Sequence, residues 1–419
     1  MKQYDEYKAS GTPWIGGIPS HWEEKRMRFV CNYEKGKNPS DLSFDYENGM
    51  LPYLSMDYLR EASPVIQYSF PKDEYTITHQ GDLLLLWDGS NAGEFLMSKD
   101  GILCSTCAQL FPKNISKQFF WYYCKTFQLY LKEQTNGMGI PHVDANVFKN
   151  LYFIIPSETE QEYIADYLDR KCASIDKVIA TQKRRIELLD ELKQSIITEA
   201  VTRGINPDAP LRDSGIEWMG NIPEHWETIP LKYTGSFGNG LTYSPDDVVE
   251  SDGILVLRSS NIQDDALDFN DTVYVNSCPD FLKVKSGDII ICSRNGSASL
   301  VGKCAMVEDD INATFGAFMM RYRPLGNSRF GLYMLQAALK MYKGLYATTT
   351  INQLTMGVIA QIQVAMPHLS EQKEIVDYLN SKCNRIDTAI TKARQEVALL
   401  QELKQSIITE AVTGKIKVC

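Results

Sequence analysis

Leu192-Lys193-Gln194-Ser195-Ile196-Ile197-Thr198-Glu199-Ala200-Val201-Thr202 recurs without a change as Leu403-Lys404-Gln405-Ser406-Ile407-Ile408-Thr409-Glu410-Ala411-Val412-Thr413. So long an identical string does not recur by chance, and the chain is an internal duplication. Working outward, the copies share more. Ser10-Gly11 and then Trp14-Ile15-Gly16-Gly17-Ile18-Pro19-Ser20-His21-Trp22-Glu23 return as Ser214-Gly215 and Trp218-Met219-Gly220-Asn221-Ile222-Pro223-Glu224-His225-Trp226-Glu227. Glu160-Gln161, Ile164, Asp166-Tyr167-Leu168, Lys171-Cys172 and Ile175-Asp176 return as Glu371-Gln372, Ile375, Asp377-Tyr378-Leu379, Lys382-Cys383 and Ile386-Asp387. Each copy is domain-sized, far beyond a solenoid repeat.

The string closes a stretch with no glycine or proline, from Glu160 to Thr202 and again from Glu371 to Thr413. Apolar residues step by four and three: Leu168, Cys172, Ile175, Ile179, Ile186 and Leu189, then Ile196 and Ala200. The second copy gives Leu379, Cys383, Ile386, Ile390, Ala393, Val397 and Leu400, then Ile407 and Ala411. That spacing predicts two long helices with a coiled-coil seam, interrupted at Gln182, the equivalent of Ala393. Ser157 and Ser370 are candidate caps for the starts, and Gly204 and Gly414 stand where a C-terminal glycine belongs. Each helix would be roughly 65 Å long at 1.5 Å per residue. One such helix cannot hide its stripe, but two in one chain can. Antiparallel pairing would make a rod with approximate two-fold symmetry and the globular segments at its ends.

Expected boundaries are a first globular segment at 1–157, a helix at 158–204, a second globular segment at 205–368 and a helix at 369–419. The globular segments read as mixed α/β, so the fold class is α+β with an internal pseudo-two-fold repeat. Gly81-Asp82 opens Leu83-Leu84-Leu85-Leu86-Trp87, and Gly287-Asp288 opens Ile289-Ile290-Ile291-Cys292. Both are turns into buried strands. Phe119 to Glu133 and Phe330 to Tyr346 have helical character. Tyr152 to Pro156 and Ile362 to Pro367 give a last strand before each long helix. Elsewhere the two globular segments differ strongly. A retained frame carrying divergent globular parts fits two related recognition tasks on different targets.

Composition is that of an ordinary globular protein. No run of eighteen apolar residues is available to span a bilayer, and the N-terminal residues are too polar for a signal peptide, so the cytoplasm is expected. Ten cysteines without a secretory signal favour reduced thiols. Cys104-Ser105-Thr106-Cys107 lacks a second pair or a histidine to complete a zinc site. The formal charge is −10. Residues 1–157 carry 15 basic and 18 acidic side chains, and 205–368 carry 12 and 18. A nucleic-acid partner would therefore need local basic loops or a basic co-partner.

The search for catalysis comes up short. Gly296 to Lys303 resembles a phosphate loop but has one residue too many between its glycines, and Cys304 stands where Ser or Thr should follow. Gly137-Met138-Gly139 and Gly238-Asn239-Gly240 lack the rest of a dinucleotide fingerprint. No Asn-Pro-Pro-Tyr or Asp-Pro-Pro-Tyr string is present, and Pro279-Asp280 with Lys283 is too short to be a nuclease pattern. His21 and His225 read as packing of a Pro-x-His-Trp turn. No catalytic or metal-ligating residue is expected.

These motifs together resemble the specificity (S) subunits of type I restriction-modification systems. The carriers are Ser214 to Trp226, the Gly-Asp strands at 81 and 287, Glu-Gln-x-x-Ile at 160 and 371, and the repeated string closed by Gly204 and Gly414. The likeness covers nearly the whole chain. The first copy departs from it with Thr12-Pro13 before Trp14, and with Trp87-Asp88-Gly89 in place of the Ser-Arg-x-Gly of Ser293 to Gly296.

The resemblance implies two target-recognition domains, each reading one half of an asymmetric double-stranded DNA sequence. The helices would form an antiparallel spacer whose length sets the gap between half-sites. They would also dock two modification (methyltransferase) subunits, with restriction (translocase/endonuclease) subunits joining them. S-adenosylmethionine and ATP would be bound by those partners, and no cofactor by this chain. Seam or partner-interface candidates are Leu168, Ile175, Ile179, Ile186, Leu189, Leu379, Ile386, Ile390, Val397 and Leu400. DNA-contact candidates sit in polar loops after the recurring strands. They are Ser55, Asp57, Asp88, Ser90 and Asn91 in the first segment, and Arg258, Ser259, Ser260, Asn261, Arg294 and Asn295 in the second. Thr349 and Asn352, in a cluster equivalent to the Gly137–His142 loop, complete the set. Arg and Asn suit bidentate contact with guanine and adenine. Two rival readings are a stand-alone nuclease or methyltransferase, which the missing motifs disfavour, and a coiled-coil scaffold that binds only protein.

Overall fold

The computed structural model describes residues 3–12, 15–137, 139–341 and 352–418. The chain divides into two compact units, one built from Met1–Lys183 with Arg394–Cys419 and the other from Arg184–Ala393. Each unit therefore takes one globular segment and a piece of both long helices. The helices that frame the units are α1 (Lys117–Glu133), α2 (Glu158–Arg203), α3 (Ser328–Met341) and α4 (Leu369–Val412).

The first unit holds an antiparallel sheet in the order Cys31–Lys35, Cys107–Pro112, Leu83–Leu86, Phe95–Met97. Beside it lies a mixed sheet in which Leu51–Leu54 runs parallel to Gly101–Leu103. The second unit repeats the scheme. Its antiparallel sheet orders Gly235–Asn239, Met319–Pro324, Ile289–Cys292, Cys304–Met306, and Ile254–Leu257 runs parallel to Ala313–Phe315. A separate antiparallel pair precedes each long helix, Glu23–Arg26 with Tyr152–Ile155 and Glu227–Pro230 with Gln363–Met366. Leu83 to Leu86 and Ile289 to Cys292 are buried at every position, so the unbroken apolar runs are strands covered on both faces.

Ser157 caps α2 in a reciprocal box. The Glu160 N–H donates to Ser157 Oγ at 3.4 Å, while Ser157 N and Oγ donate to Glu160 Oε2 at 3.1 and 2.7 Å. Ser370 does not do this for α4, correcting the expectation: the helix already starts at Leu369. The position matching Ser157 is His368, whose carbonyl accepts from Gln372 N as Ser157 O accepts from Gln161 N. Gly204 (φ 73°) and Gly414 (φ 72°) close the helices in the left-handed region.

Within the first unit, Leu168, Cys172, Ile175 and Ile179 of α2 are buried, and Lys404 of α4 pairs with Asp176 at 2.7 Å. Ile408, Ala411 and Val412 join the core that includes Ile164 and Leu168, so the end of α4 lies along the start of α2 and the pair is antiparallel. The second unit mirrors this: Leu379, Cys383, Ile386, Ile390 and Ala393 are buried, Lys193 pairs with Asp387 at 2.8 Å, and Ile197, Ala200 and Val201 enter the core. Ile186, Leu189, Val397 and Leu400 are half-buried. Of the two isoleucines in each copy of the repeated string, the buried ones are Ile197 and Ile408, one place beyond the expected Ile196 and Ile407, which stay half-buried against the same cores. A strict heptad drifts by about 20° per repeat on a straight α-helix, and the seam follows the helix.

The string therefore has an intramolecular task that the sequence did not show. Its apolar side in α4 completes the core of the first unit, and its apolar side in α2 completes that of the second. Nine cysteines of the described residues are free thiols, and all but Cys278 are buried. No helix of the described residues is long and apolar enough to cross a membrane.

Candidate nucleic-acid interface

The two Gly-Asp turns position the same surface in each unit. Gly81 (φ 80°) and Gly287 (φ 86°) take a backbone region that favours glycine. The aspartate then locks the turn. Asp82 accepts from His79 N, Gln109 Nε2 and Lys117 Nζ, all at 2.9 Å. Burial pushes the Asp82 carboxyl up, but Lys117 and the His79 N–H outweigh it and hold it below the ordinary value. Asp288, fully buried, accepts from Lys285 N at 2.8 Å and takes a two-pronged pair from Arg323 at 2.5 and 2.7 Å. The motif is a structural clamp that fixes where the following strand begins.

The segment after each of these strands is held alike in both units. Trp87 N and Asp88 N donate to Thr106 O, and Ser293 N and Arg294 N donate to Phe318 O. Val143 N donates to Trp87 O and Leu354 N to Ser293 O. Asp88 bridges to His142, and Arg294 pairs with Gln353. Asp88 and Arg294 thus occupy one backbone slot, between the same two neighbouring segments. Close approach requires glycine at a third point: a Cβ on Gly36 would sit 2.3 Å from Cys104 O, and one on Gly240 would sit 2.1 Å from Gly316 O.

In the second unit these segments line a cleft of about 1120 Å³ whose walls include Arg258, Ser259, Ser260, Arg294, Phe318 and Gln353. Arg294 Nη2 donates to Gln353 Oε1 at 2.7 Å, and its guanidinium carbon lies 5.7 Å from the centre of the Phe318 ring, which is 60% exposed. Arg258 pairs with Asp271 at 2.7 Å. Hydrogen bonding from Ser260, with Arg258 beside it, holds the Asp271 carboxyl below its usual range. Asn295 Nδ2 donates to Ser259 Oγ at 3.2 Å, which ties the two loops together. Asn352 stands opposite Asn295 in the backbone ladder. Thr349 falls outside the described residues. Asn261 corrects the expectation. It is fully buried, accepts from Arg258 N, and donates to Asp268 O and Asp271 O at 2.9 and 2.7 Å. Asn261 shapes the loop from inside it, and its side chain is not on the surface.

In the first unit the matching hollow, about 660 Å³, is lined by Asp88, Gly89, Ser90, Ser105, Thr106 and Gly139–His142. Asp88 Oδ2 accepts from Lys35 Nζ at 2.8 Å, and Ser90 is exposed. Asn91 is half-buried in the turn, where its carbonyl accepts from Glu94 N. Ser55 follows the strand that matches Ile254–Leu257, but its side chain caps the short Met56–Leu59 helix by accepting from Tyr58 N. Asp57 lies exposed in that helix's first turn. Neither lines the hollow. Sequence reasoning missed Lys35, Phe318, His142 and Gln353 in this arrangement. The signal for the last two was the shared register of Val143 and Leu354 beyond them.

The Gly296–Lys303 stretch makes turns and runs into the strand Cys304–Met306, so no helix N-terminus faces it for a phosphate. Among the described residues no group of three or more His, Cys, Asp or Glu could hold a metal ion.

The repeated motifs that frame this surface act as grips. His21 Nε2 and Trp22 Nε1 lie 3.0 and 3.1 Å from Glu160 Oε1, and His225 lies 2.8 Å from Glu371 Oε2. Gln161 Nε2 donates to Pro156 O while its Oε1 accepts from Ser116 N, the cap of α1. Gln372 does the same with Pro367 O and with Asn327 N, just before α3. Burial pushes Glu160 up, yet the hydrogen bonds from Ser157, His21 and Trp22 outweigh it and bring it down to about 2.

Comparison with known proteins bears on this geometry. A family model described as the type I restriction modification DNA specificity domain matches residues 19–189 and again 223–399. The MjaVIII type I restriction enzyme specificity subunit of Methanocaldococcus jannaschii is 31% identical over 418 residues, covering 96% of this chain and 94% of that one. The EcoKI specificity subunit of Escherichia coli is 29% identical over 206 residues, 47% of this chain and 44% of that one. A chain solved in work on assembly and conformational transition of the type I R-M system superposes with a TM-score of 0.66. It has 17% identity and covers 95% of this chain and 99% of its own length, a likeness of fold.

Proposed function

The chain belongs to the type I restriction-modification specificity-subunit family, and from that premise we propose that each globular unit reads one half of a bipartite, asymmetric duplex target. The carrying observation is the shared backbone slot. One frame of turns, strands and glycines gathers the same segments in both units, and the side chains it presents differ: Arg294, Gln353 and Phe318 in one, Asp88, His142 and Thr106 in the other. An identical scaffold with exchanged polar side chains suits two different half-sites.

In this reading the chain is a non-catalytic cytoplasmic subunit. Two modification subunits bind S-adenosylmethionine and methylate adenine, and restriction subunits supply the ATP-driven steps. Those partners also provide phosphate contacts that a chain of charge −10 cannot supply alone. The seam residues are committed to their own unit, so docking falls to what the helices leave exposed. Leu188 and Leu192 on α2, and their equivalents Leu399 and Leu403 on α4, are 48 to 64% exposed. Two identical apolar pairs suit two identical partners. Helix length sets the gap between half-sites, on the scale of roughly 34 Å for one turn of duplex.

Co-expression with the cognate modification subunit, followed by mapping of genomic adenine methylation, tests this reading. A bipartite motif that requires this chain supports it. Methylation by this chain alone supports an enzyme, and a reconstituted complex without sequence preference supports a protein-binding scaffold. Helical turns inserted symmetrically near Ile179 and Ile390 lengthen the preferred gap; an unchanged gap rules out the spacer role.

A further inference from the structure

We propose that the slot shared by Arg294 and Asp88 is a base-reading position of opposite polarity in the two units: Arg294 selects guanine, and Asp88 selects the exocyclic amino group of cytosine. The inference rests on the proposed half-site reading and deepens it. The alignment of Trp87-Asp88-Gly89 with Ser293 to Gly296 matches the two residues, and hydrogen bonds carry the equivalence into geometry. Each residue's N–H donates to the matching carbonyl, Phe318 O or Thr106 O, and each pairs through its backbone with the matching loop residue, Gln353 or His142. Identical backbone anchoring aims the two side chains into equivalent hollows, of about 1120 and 660 Å³. Only their chemistry differs.

Arg294 is prepared for a planar, two-pronged acceptor. Gln353 Oε1 takes one N–H of Nη2 at 2.7 Å, and the exposed Phe318 ring lies 5.7 Å from the guanidinium carbon. Both restrain the fork before any ligand arrives, which lowers the ordering cost of a bidentate contact. In the major groove guanine offers O6 and N7 as such an acceptor pair. Asp88 has no donor to offer. Its Oδ2 is held by Lys35 Nζ at 2.8 Å, which orients the carboxylate. A carboxylate accepts from an amino group; beside N6 of adenine the N7 lone pair repels it, whereas N4 of cytosine has no such neighbour on its own base, so its partner in the major groove is N4 of cytosine. Each unit therefore requires a G·C pair at its slot, read from the guanine by one and from the cytosine by the other. A plain salt-bridged loop would predict neither preference.

The test uses the complex of this chain with its modification subunits. The unaltered complex must first direct methylation at a bipartite motif; if it does not, the functional reading falls. Given that motif, Arg294→Lys keeps the charge and removes the fork. It is expected to lower discrimination at one G·C position of one half-site roughly ten- to a hundredfold, with the other half-site unchanged. Asp88→Asn is expected to relax one G·C position in the opposite half-site. The retained half-site in each variant reports that the chain is folded. 7-Deazaguanine, which lacks N7, weakens binding by the unaltered complex at the Arg294 position and leaves Arg294→Lys nearly unaffected. A motif unchanged in both variants overturns the inference. So does a uniform loss across all sequences with a shallower salt dependence, because that marks a phosphate contact.

Discussion

Substituting alanine at the two helix-ending glycines is predicted to have unequal effects, although Gly204 and Gly414 both follow the repeated string (Gly204 after one further residue, Arg203) and share φ values of 73° and 72°. An L residue in the left-handed region costs about 1–2 kcal/mol, and both variants incur that. Their surroundings differ. A Cβ on Gly204 meets nothing nearer than 3.4 Å, the Glu371 carboxylate and the Trp226 ring edge. A Cβ on Gly414 would sit 2.4 Å from Pro19 Cδ and 3.0 Å from the Trp22 ring, with Tyr7 Oη donating to the Gly414 carbonyl at 2.9 Å. Neither Pro19 nor Trp22 is a flexible side-chain tip, so the helix end must shift, at about 1–3 kcal/mol for overpacking. Gly414→Ala is thus expected to cost about 2–5 kcal/mol and Gly204→Ala about 1–2 kcal/mol. Native-state hydrogen exchange reads this locally, through peptides covering Glu23–Arg26 and Tyr152–Ile155 in one unit and Glu227–Pro230 and Gln363–Met366 in the other. Protection should fall roughly 5- to 150-fold further in the first pair with Gly414→Ala than in the second pair with Gly204→Ala. Equal losses, or a larger loss for Gly204→Ala, refute the packing argument.

Glu160 supplies a pH dependence. Its carboxyl is held at about 2 against an ordinary 4.5, so its stabilisation is complete above 4.5 and is lost as pH falls from there towards 2. In Glu160→Gln the slope of unfolding midpoint against pH over that window should flatten, and an unchanged slope would show that other carboxylates dominate. Asn261→Ala removes three hydrogen bonds inside a buried turn and takes away the partner of the Arg258 N–H and of the Asp268 carbonyl, so it should cost about 2–4 kcal/mol. Denaturant titration measures that, and a loss under about 0.5 kcal/mol, the scale of an ordinary surface change, would mean Asn261 is not the loop's lock.

The frame was legible because its signals are periodic or repeated. The seam through Leu168, Ile175 and Ile179, the buried strands after Gly81-Asp82 and Gly287-Asp288, and the helix-ending glycines each follow from local chemistry. Three features were not legible, for physical reasons. Ser370 and Ser157 both precede glutamates, but only the helix start decides which residue caps, and it lies at Leu369 in the second copy. Asn261 has the side chain expected of a base reader, and the same donor and acceptor pair suits a buried turn equally well. The string at Leu192 and Leu403 carries both an apolar face and exposed leucines, and sequence cannot say which face meets the chain's own core. Within the candidate interface, the alignment of Trp87-Asp88-Gly89 with Ser293 to Gly296 already matched Asp88 to Arg294, but the shared anchoring on Thr106 O and Phe318 O was visible only in the hydrogen bonds.

The repeated string also has a consequence for how such a chain changes over generations. The end of each long helix completes a core through the same residues, Ile197, Ala200 and Val201 or Ile408, Ala411 and Val412, and Glu160 and Glu371 grip the same His-Trp turn. The chain therefore carries two matched frame stretches beside globular parts that differ. A crossover between the regions encoding those stretches would exchange one globular segment for another with the grips already in place. On the proposed half-site reading, that exchange changes the target in one step, without passing through variants whose cores no longer fit.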